Sequence, residues 1–200
     1  MADALVLRHD TTWKFPRQLS GKWRVMTLEP GTCCYRAVSF FGRAFQEPPE
    51  LVLVSSFPDG IQKARGAREI VLLPHVHETS SALTTDAEWD QLVDWTFPYE
   101  NPPLVLARRA DATASPNAQC AAIERLIPLA ADAEGGNLQF EVVQTTQEAA
   151  RACASPYGPQ FCITNQHGAD HYGLDVLRVL KHMTIWWMPF RHAPTEEEHV

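Results

Sequence analysis

Residues Phe161–Leu180 read FCITNQHGADHYGLDVLRVL, and the order of chemical types along that stretch decides the fold class. Phe161-Cys162-Ile163 is a short apolar run that predicts a buried strand, and Thr164-Asn165-Gln166 is the polar turn that closes it. A helical segment with Ala169 and Tyr172 on one face follows, and Gly173 stops it. A second apolar run, Leu174–Leu180, leaves that helix and leads into the aromatic string Thr184-Ile185-Trp186-Trp187-Met188-Pro189-Phe190. A strand that delivers a polar turn onto a helix start is the unit with which α/β proteins hold small anions, because the unpaired amides of the first turn and the helix dipole both face the ligand. The same residues also suit an ordinary β-α-β packing unit, and taken alone they do not choose between the two.

Working outward, strand-like runs alternate with helical ones. Residues 1–21 read as a polar arm whose packing handles are Trp13, Phe15 and Pro16. Trp23–Leu28 is a strand, Glu29-Pro30-Gly31-Thr32 a turn, and Thr32 the N-cap of a helix running through Cys34, Ala37, Val38, Phe41 and Phe45. Leu51–Ser55 is a second strand, Phe57–Ala67 a short helix, and Ile70–Leu73 a buried strand ending at Pro74-His75-Val76-His77-Glu78. Ala87–Phe97 has helical spacing through Trp89, Leu92 and Val93, and Pro98, Pro102 and Pro103 read as a stiff crossing. After the strand Leu104–Ala107, Ser115-Pro116 forms an N-cap and N1 pair for a helix through Ala118, Ala122, Leu126 and Ile127. Gly135-Gly136 is a turn, Leu138–Val143 a strand and Thr146–Cys153 a helix. This alternation predicts parallel β-α-β units in two lobes of parallel or mixed sheet flanked by helices. The expected division is an N-terminal arm (1–21), lobe 1 (22–100 plus 180–192), lobe 2 (101–179) and an acidic tail (193–200).

Composition narrows the function classes. The chain has 200 residues, 45% apolar and 20% charged, which is a globular composition. Its net charge is −7, without the basic face that a nucleic-acid groove needs. No apolar run approaches the roughly 18 residues of a membrane span, and the N-terminus lacks the apolar segment of a signal peptide. Five scattered cysteines, Cys33, Cys34, Cys120, Cys153 and Cys162, point to reduced thiols and a cytoplasmic location, not to a disulfide frame. With no CxxC pair, and only His167 and His171 at metal-ligand spacing, neither a metal nor a cofactor is expected.

Four turns, each following a strand, resemble those of the prephenate dehydratase family. Thr27–Thr32 resembles its Gly-Pro-x-Gly-Thr turn with one residue missing. Pro74 stands where the Pro of Pro-x-Glu-Asn-Ser closes a strand. Ala118-Gln119-Cys120 matches the Ala-Gln-Cys of a second-lobe helix, and Tyr172-Gly173-Leu174 matches a Tyr-Gly-Leu after the last helix of that lobe. The order holds over roughly residues 24–192, with no regulatory domain expected after it. The family's Thr-Arg-Phe falls at Ile185-Trp186-Trp187, and its Glu-Asn-Ser at about Val76-His77-Glu78. In these departures the chain is more similar to the prephenate decarboxylases of the bacilysin type, through Leu73-Pro74-His75, Ser115-Pro116, Ile163-Thr164-Asn165 and Trp187.

The resemblance implies a two-lobed, periplasmic-binding-protein-like fold and a small cyclic dicarboxylate such as prephenate as substrate, with a possible homodimer. It also implies a lyase that removes CO₂ from prephenate while leaving the ring hydroxyl in place, in a specialised amino-acid or antibiotic pathway. Such an enzyme must withhold acid from the hydroxyl, desolvate the ring carboxylate and protonate ring carbon. Ile185, Trp186 and Trp187 would form the apolar wall, and His75 or His77 would be the proton source. Gly31, Thr32, Cys33, Ser115, Thr164, Asn165 and Gln166 would bind the anion through turns rather than lysines. The alternatives are a dehydratase-like lyase, acting on prephenate or on another ring acid such as those of tropone-type pathways, and a non-catalytic keto-acid-binding protein. At each position the plain structural role, an N-cap or a core aromatic, competes with the functional one.

Overall fold

The computed structural model describes residues 13–112, 118–131 and 138–193. It divides into two units, one formed by residues up to Asn101 together with those from Thr184 onward, the other by Pro102–Met183. Two long strands, β5 (Phe97–Arg108) and β9 (Asp175–His192), contribute residues to both.

Unit 1 is built on β1 (Arg24–Thr27), which pairs in parallel with β2 (Glu50–Leu53) and with β3 (Glu69–Pro74). The last part of β9 runs antiparallel beside β3, with Leu72 opposite Pro189 and Pro74 opposite Trp187, and β4 (Trp89–Gln91) pairs with its end. Strand alternation sorts the apolar side chains onto two faces. Val25, Ile70, Leu72 and Trp187 meet Ala37, Val38 and Phe41 of α1 (Cys33–Phe41), with Phe97 and Tyr99 in the same cluster. Met26, Val71, Leu73 and Phe190 form the other cluster, which Leu83 of α3 (Glu78–Thr85) joins and against which Phe57 and Ile61 of α2 (Phe57–Lys63) pack. Phe41 lies fully buried and stacked on Phe97, with ring centroids 5.6 Å apart and planes 8° apart. Burying a side chain of that size stabilises by about 1.5–3 kcal/mol.

In unit 2, β8 (Phe161–Asn165) lies antiparallel to β5 and parallel to β6 (Gln119–Ala122), and β7 (Gln139–Val142) pairs with β6. One cluster joins Ala149, Ala150 and Cys153 of α5 (Thr146–Ala154) and Ala169 of α6 (Gln166–His171) to Val105, Ala107, Ala121 and Cys162. Alanines at the contact let a helix approach a sheet closely. Ala130 of α4 (Ile127–Ala131) joins Leu106, Cys120, Ala122 and Ile163 in the other cluster. The mixed α/β architecture expected from the sequence is observed.

Several local readings are corrected. Ala87–Phe97 is not a helix: it holds β4, a 3₁₀ turn (Val93–Trp95) and the start of β5. The helix of that region lies earlier, at α3, whose Thr- and Ser-rich sequence hides its periodicity. Ala118–Ile127 is not one helix either, because Gln119–Ala122 pairs on both sides as a strand. The Ala-Gln-Cys correspondence, to a helix in the resembling family, therefore does not carry over to local structure. Pro98, Pro102 and Pro103 lie inside β5 instead of forming a separate crossing, since the fixed proline φ is compatible with extended chain. His75 and His77 do not continue the strand, which ends at Pro74. Gly135-Gly136, Ser115-Pro116 and the acidic tail lie outside the described residues.

At the start of the parallel strands, the Glu69 carboxylate pairs with the Arg24 guanidinium and accepts the Arg65 and Gly66 N–H groups at 2.7 and 3.0 Å. Burial alone would raise this carboxyl, but the two backbone donors and Arg24 together bring it below the usual range. A carboxyl lowered in the folded state stabilises above its unfolded value of about 4.3, and that contribution disappears as pH falls through the folded value. Glu69→Gln is expected to cost about 1 kcal/mol at pH 7, with the gap to wild type closing below about pH 4; melting curves across pH 2.5–7 measure it.

Candidate functional site

In unit 1 the chain leaves β1 through Leu28-Glu29-Pro30 and turns at Gly31, whose φ of 98° is a left-handed conformation that favours glycine. This geometry brings Thr32 to the N-cap of α1. The Thr32 hydroxyl accepts the Tyr35 N–H at 3.1 Å and donates to the Glu29 carbonyl at 2.9 Å. Cys33 is the first helical residue and packs, half-buried, against the α1-face cluster. Cys34 is buried, its sulfur 3.7 Å from the Thr27 hydroxyl, and burial pushes its thiol up despite the Leu28 and Thr27 hydrogen bonds. It is a packing residue, not an activated thiol.

Tyr99 of β5 shares this face. Burial raises its phenol; the Arg36 guanidinium within electrostatic reach opposes that shift, and Cys33 reinforces it. Arg36, in the first turns of α1, is half-buried and makes no ion pair among the described residues. A carboxylate at this helix start would meet a positive dipole end and one guanidinium. Neither Arg36 nor Tyr99 stands out in the sequence, because their proximity depends on β5 lying against α1.

The turn after β3 holds the two histidines differently. His75 is exposed, its N–H bonded to the Trp186 carbonyl at 2.9 Å and its own carbonyl accepting the Ser80 hydroxyl at 3.1 Å. His77 is the N-cap of α3: its Nδ1 accepts the Thr79 N–H at 3.3 Å, and its ring meets Phe57 edge-on at 4.8 Å. An Nδ1 that accepts is unprotonated, so this bond fixes the tautomer. Across the pairing, Ile185 packs half-buried against the α1-face cluster and Trp187 is buried within it. Trp186, expected in the same apolar wall, does not join it: strand alternation turns it the other way, 44% exposed, with Trp13 edge-on at 5.8 Å. The structure thus brings Cys33, Ile185 and Trp187 onto one face of unit 1, with His75 hydrogen-bonded to the strand that carries both apolar residues.

In unit 2, β8 ends in Thr164-Asn165 and passes into α6. The buried Thr164 hydroxyl donates to the Thr146 carbonyl at 2.8 Å. The Asn165 Oδ1 caps α6 through the Gly168 N–H at 2.7 Å, and its Nδ2 donates to the Thr146 hydroxyl at 3.3 Å. The Gln166 amide donates to Asp170 one turn on at 2.7 Å. A Cβ on Gly168 would lie 2.6 Å from the Thr164 Oγ1, so glycine is what permits this close approach. Close by, Gln147 of α5 is buried and its Oε1 has no partner among the described residues. The Thr145-x-x-Glu148 signal, with Thr145 capping Glu148 at 3.0 Å, marks this helix start in the sequence. Ser115 lies outside the described residues, and no cluster of His, Cys, Asp and Glu able to hold a metal is present among those described.

No family profile matches the chain, and no curated protein is similar to it in sequence. Solved structures do resemble it. Prephenate dehydratase from Staphylococcus aureus subsp. aureus Mu50 aligns at TM-score 0.54 and 12% identity, covering 86% of this chain and 67% of that one. The methionine binding protein MetQ aligns at TM-score 0.56 and 11% identity, covering 86% and 83%. A periplasmic substrate-binding protein of an ABC transporter from Coxiella burnetii aligns at TM-score 0.55 and 12% identity, covering 84% and 84%. The chain spans about two thirds of the length of the dehydratase. At such identities the likeness is one of architecture: the protein has the fold shared by prephenate dehydratase and periplasmic substrate-binding proteins.

Proposed function

We propose that the protein is a lyase acting on prephenate, or on a closely similar cyclic dicarboxylate, and that it removes the ring carboxylate as CO₂ without expelling the ring hydroxyl. The observation that carries this reading is the apolar pair Ile185 and Trp187 on the α1 face of unit 1, where the resembling dehydratases carry Thr-Arg-Phe. A threonine at that place can assist hydroxide loss, whereas an isoleucine offers no proton. An apolar wall also removes water from an anionic carboxylate, which raises its ground state relative to the charge-dispersed transition state.

The bond from ring carbon to the carboxylate breaks, its electron pair enters the ring diene, and a proton is added at ring carbon. His75, exposed beside the β3–β9 pairing, is the proposed donor, while His77 is committed at Nδ1 to the cap of α3. The Gly31-Thr32-Cys33 turn and Arg36 are the proposed carboxylate-holding group of unit 1, and Thr164-Asn165-Gln166 the proposed anion-holding turn of unit 2. No cofactor is required by this chemistry.

Purified protein mixed with prephenate tests it, with products identified by mass and NMR. Expected is loss of CO₂ with the hydroxyl retained and a non-aromatic product. Phenylpyruvate instead would overturn the reading in favour of a dehydratase, and tight binding without turnover would favour a binding protein. Ile185→Thr is expected to raise the share of phenylpyruvate about tenfold, short of the ~10²-fold of an evolved acid; an unchanged product ratio would place Ile185 away from the reacting hydroxyl.

A further inference from the structure

Asn101 is 1% exposed, and neither its Oδ1 nor its Nδ2 has a hydrogen-bond partner among the described residues. An amide buried in this way is destabilising, because both groups have given up water and received nothing. Such groups are rare in folded proteins, and each calls for an explanation. Strand alternation in β5 puts Asn101 on the same face as Phe97 and Tyr99, which is the face of the α1 cluster. That cluster contains a second such group: the Nε1 of Trp187, a residue 2% exposed, is buried without an acceptor among the described residues.

We propose that the Asn101 amide is a ligand-binding group of unit 1 that engages an uncharged hydroxyl on a cyclic acid. The chemistry of the amide selects this class. An amide presents one acceptor and two donors, and a hydroxyl both donates and accepts, so one ligand hydroxyl can satisfy both ends of the amide. A carboxylate is a poorer match, since it only accepts and would carry its charge into the aromatic cluster of Phe97 and Trp187. The proposal rests on the lyase reading for its ligand class and sharpens it: an amide has no proton to lose near neutral pH. It can therefore hold a ring hydroxyl in place without protonating it into a leaving group.

The test uses Asn101→Leu, with Asn101→Ala as a second variant, and two unreactive saturated analogues. These are cyclohexane-1-carboxylates bearing a 1-pyruvyl arm, one with and one without a 4-hydroxyl, and calorimetry measures their binding. Expected is wild-type preference for the hydroxylated analogue by at least about tenfold, lost in both variants. Without ligand, Asn101→Leu is expected to melt at or above wild type, because an unpaired amide has been replaced by an apolar group of similar size. If both variants melt more than about 5 °C lower, the amide is a structural group and the proposal fails. If the preference persists in the variants, Asn101 is not the hydroxyl's partner, while the lyase reading stands. If neither analogue binds wild type, the ligand class itself is wrong and both readings fall.

Discussion

The antiparallel pairing of β9 with β3, from Ile70 opposite Arg191 to Pro74 opposite Trp187, is the constraint on which unit 1 depends. It brings a segment more than a hundred residues distant in sequence to the edge of a parallel sheet whose other strands come from the first seventy-four residues. Because side chains alternate, the register decides which face each residue of β9 serves. Trp187 goes to the α1 face and Phe190 to the face of α2 and α3. A slip of one residue would exchange them, exposing the α1 cluster to Trp186 instead. The β9–β3 hydrogen bonding also extends one residue past the strand, from the His75 N–H to the Trp186 carbonyl, and so fixes the turn that leads into α3.

Side chains at the ends of these strands have structural duties before any functional ones. Thr32, His77 and Asn165 each cap a helix through a side-chain hydrogen bond, a contribution of about 1 kcal/mol for a threonine or asparagine cap. The caps do not compete with ligand binding, since they orient the first turn and leave other backbone N–H groups of that turn pointing outward. Thr164 differs. Its donor is committed to the Thr146 carbonyl in a fully buried position, so what it can offer a ligand is restricted to its oxygen lone pairs. Arg36 and Asn101 are the reverse case, with polar groups that make no ion pair or side-chain hydrogen bond among the described residues.

An architecture maintained at 12% identity with a prephenate dehydratase, and at 11% with a methionine-binding protein, shows how little of this fold depends on particular side chains. What it requires is apolar alternation on a few central strands, small residues where helices approach, and turn chemistry at the strand ends. Chemistry is a separate matter, to be argued from particular side chains and not from the fold.

The sequence by itself determined the α/β class, the strands β1, β3, β7 and β8, and the helices α1 and α5. In β1, β3, β8, α1 and α5, local pattern and tertiary packing ask for the same thing: a short apolar run buried between layers, or a cap followed by one apolar helix face; β7, largely exposed, shows instead the alternation of a strand. It also located the start of α1 at Thr32 and the strand-to-helix junction at Thr164–Gln166, because N-cap chemistry is local, although Thr164 and Asn165 are the last paired residues of β8 and not a separate turn. Only the tertiary structure decided Gln119–Ala122, whose small residues suit a helix until pairing with β7 and β8 on both sides makes them a strand. The same holds for Trp89–Phe97, where pairing with β9 overrides helical spacing. The Asn101 amide was invisible in an Asn-Pro-Pro that reads as a break, and Arg36 in a helix that reads as ordinary. Their significance lies in what surrounds them, and those surroundings come from strands and helices that only folding brings together.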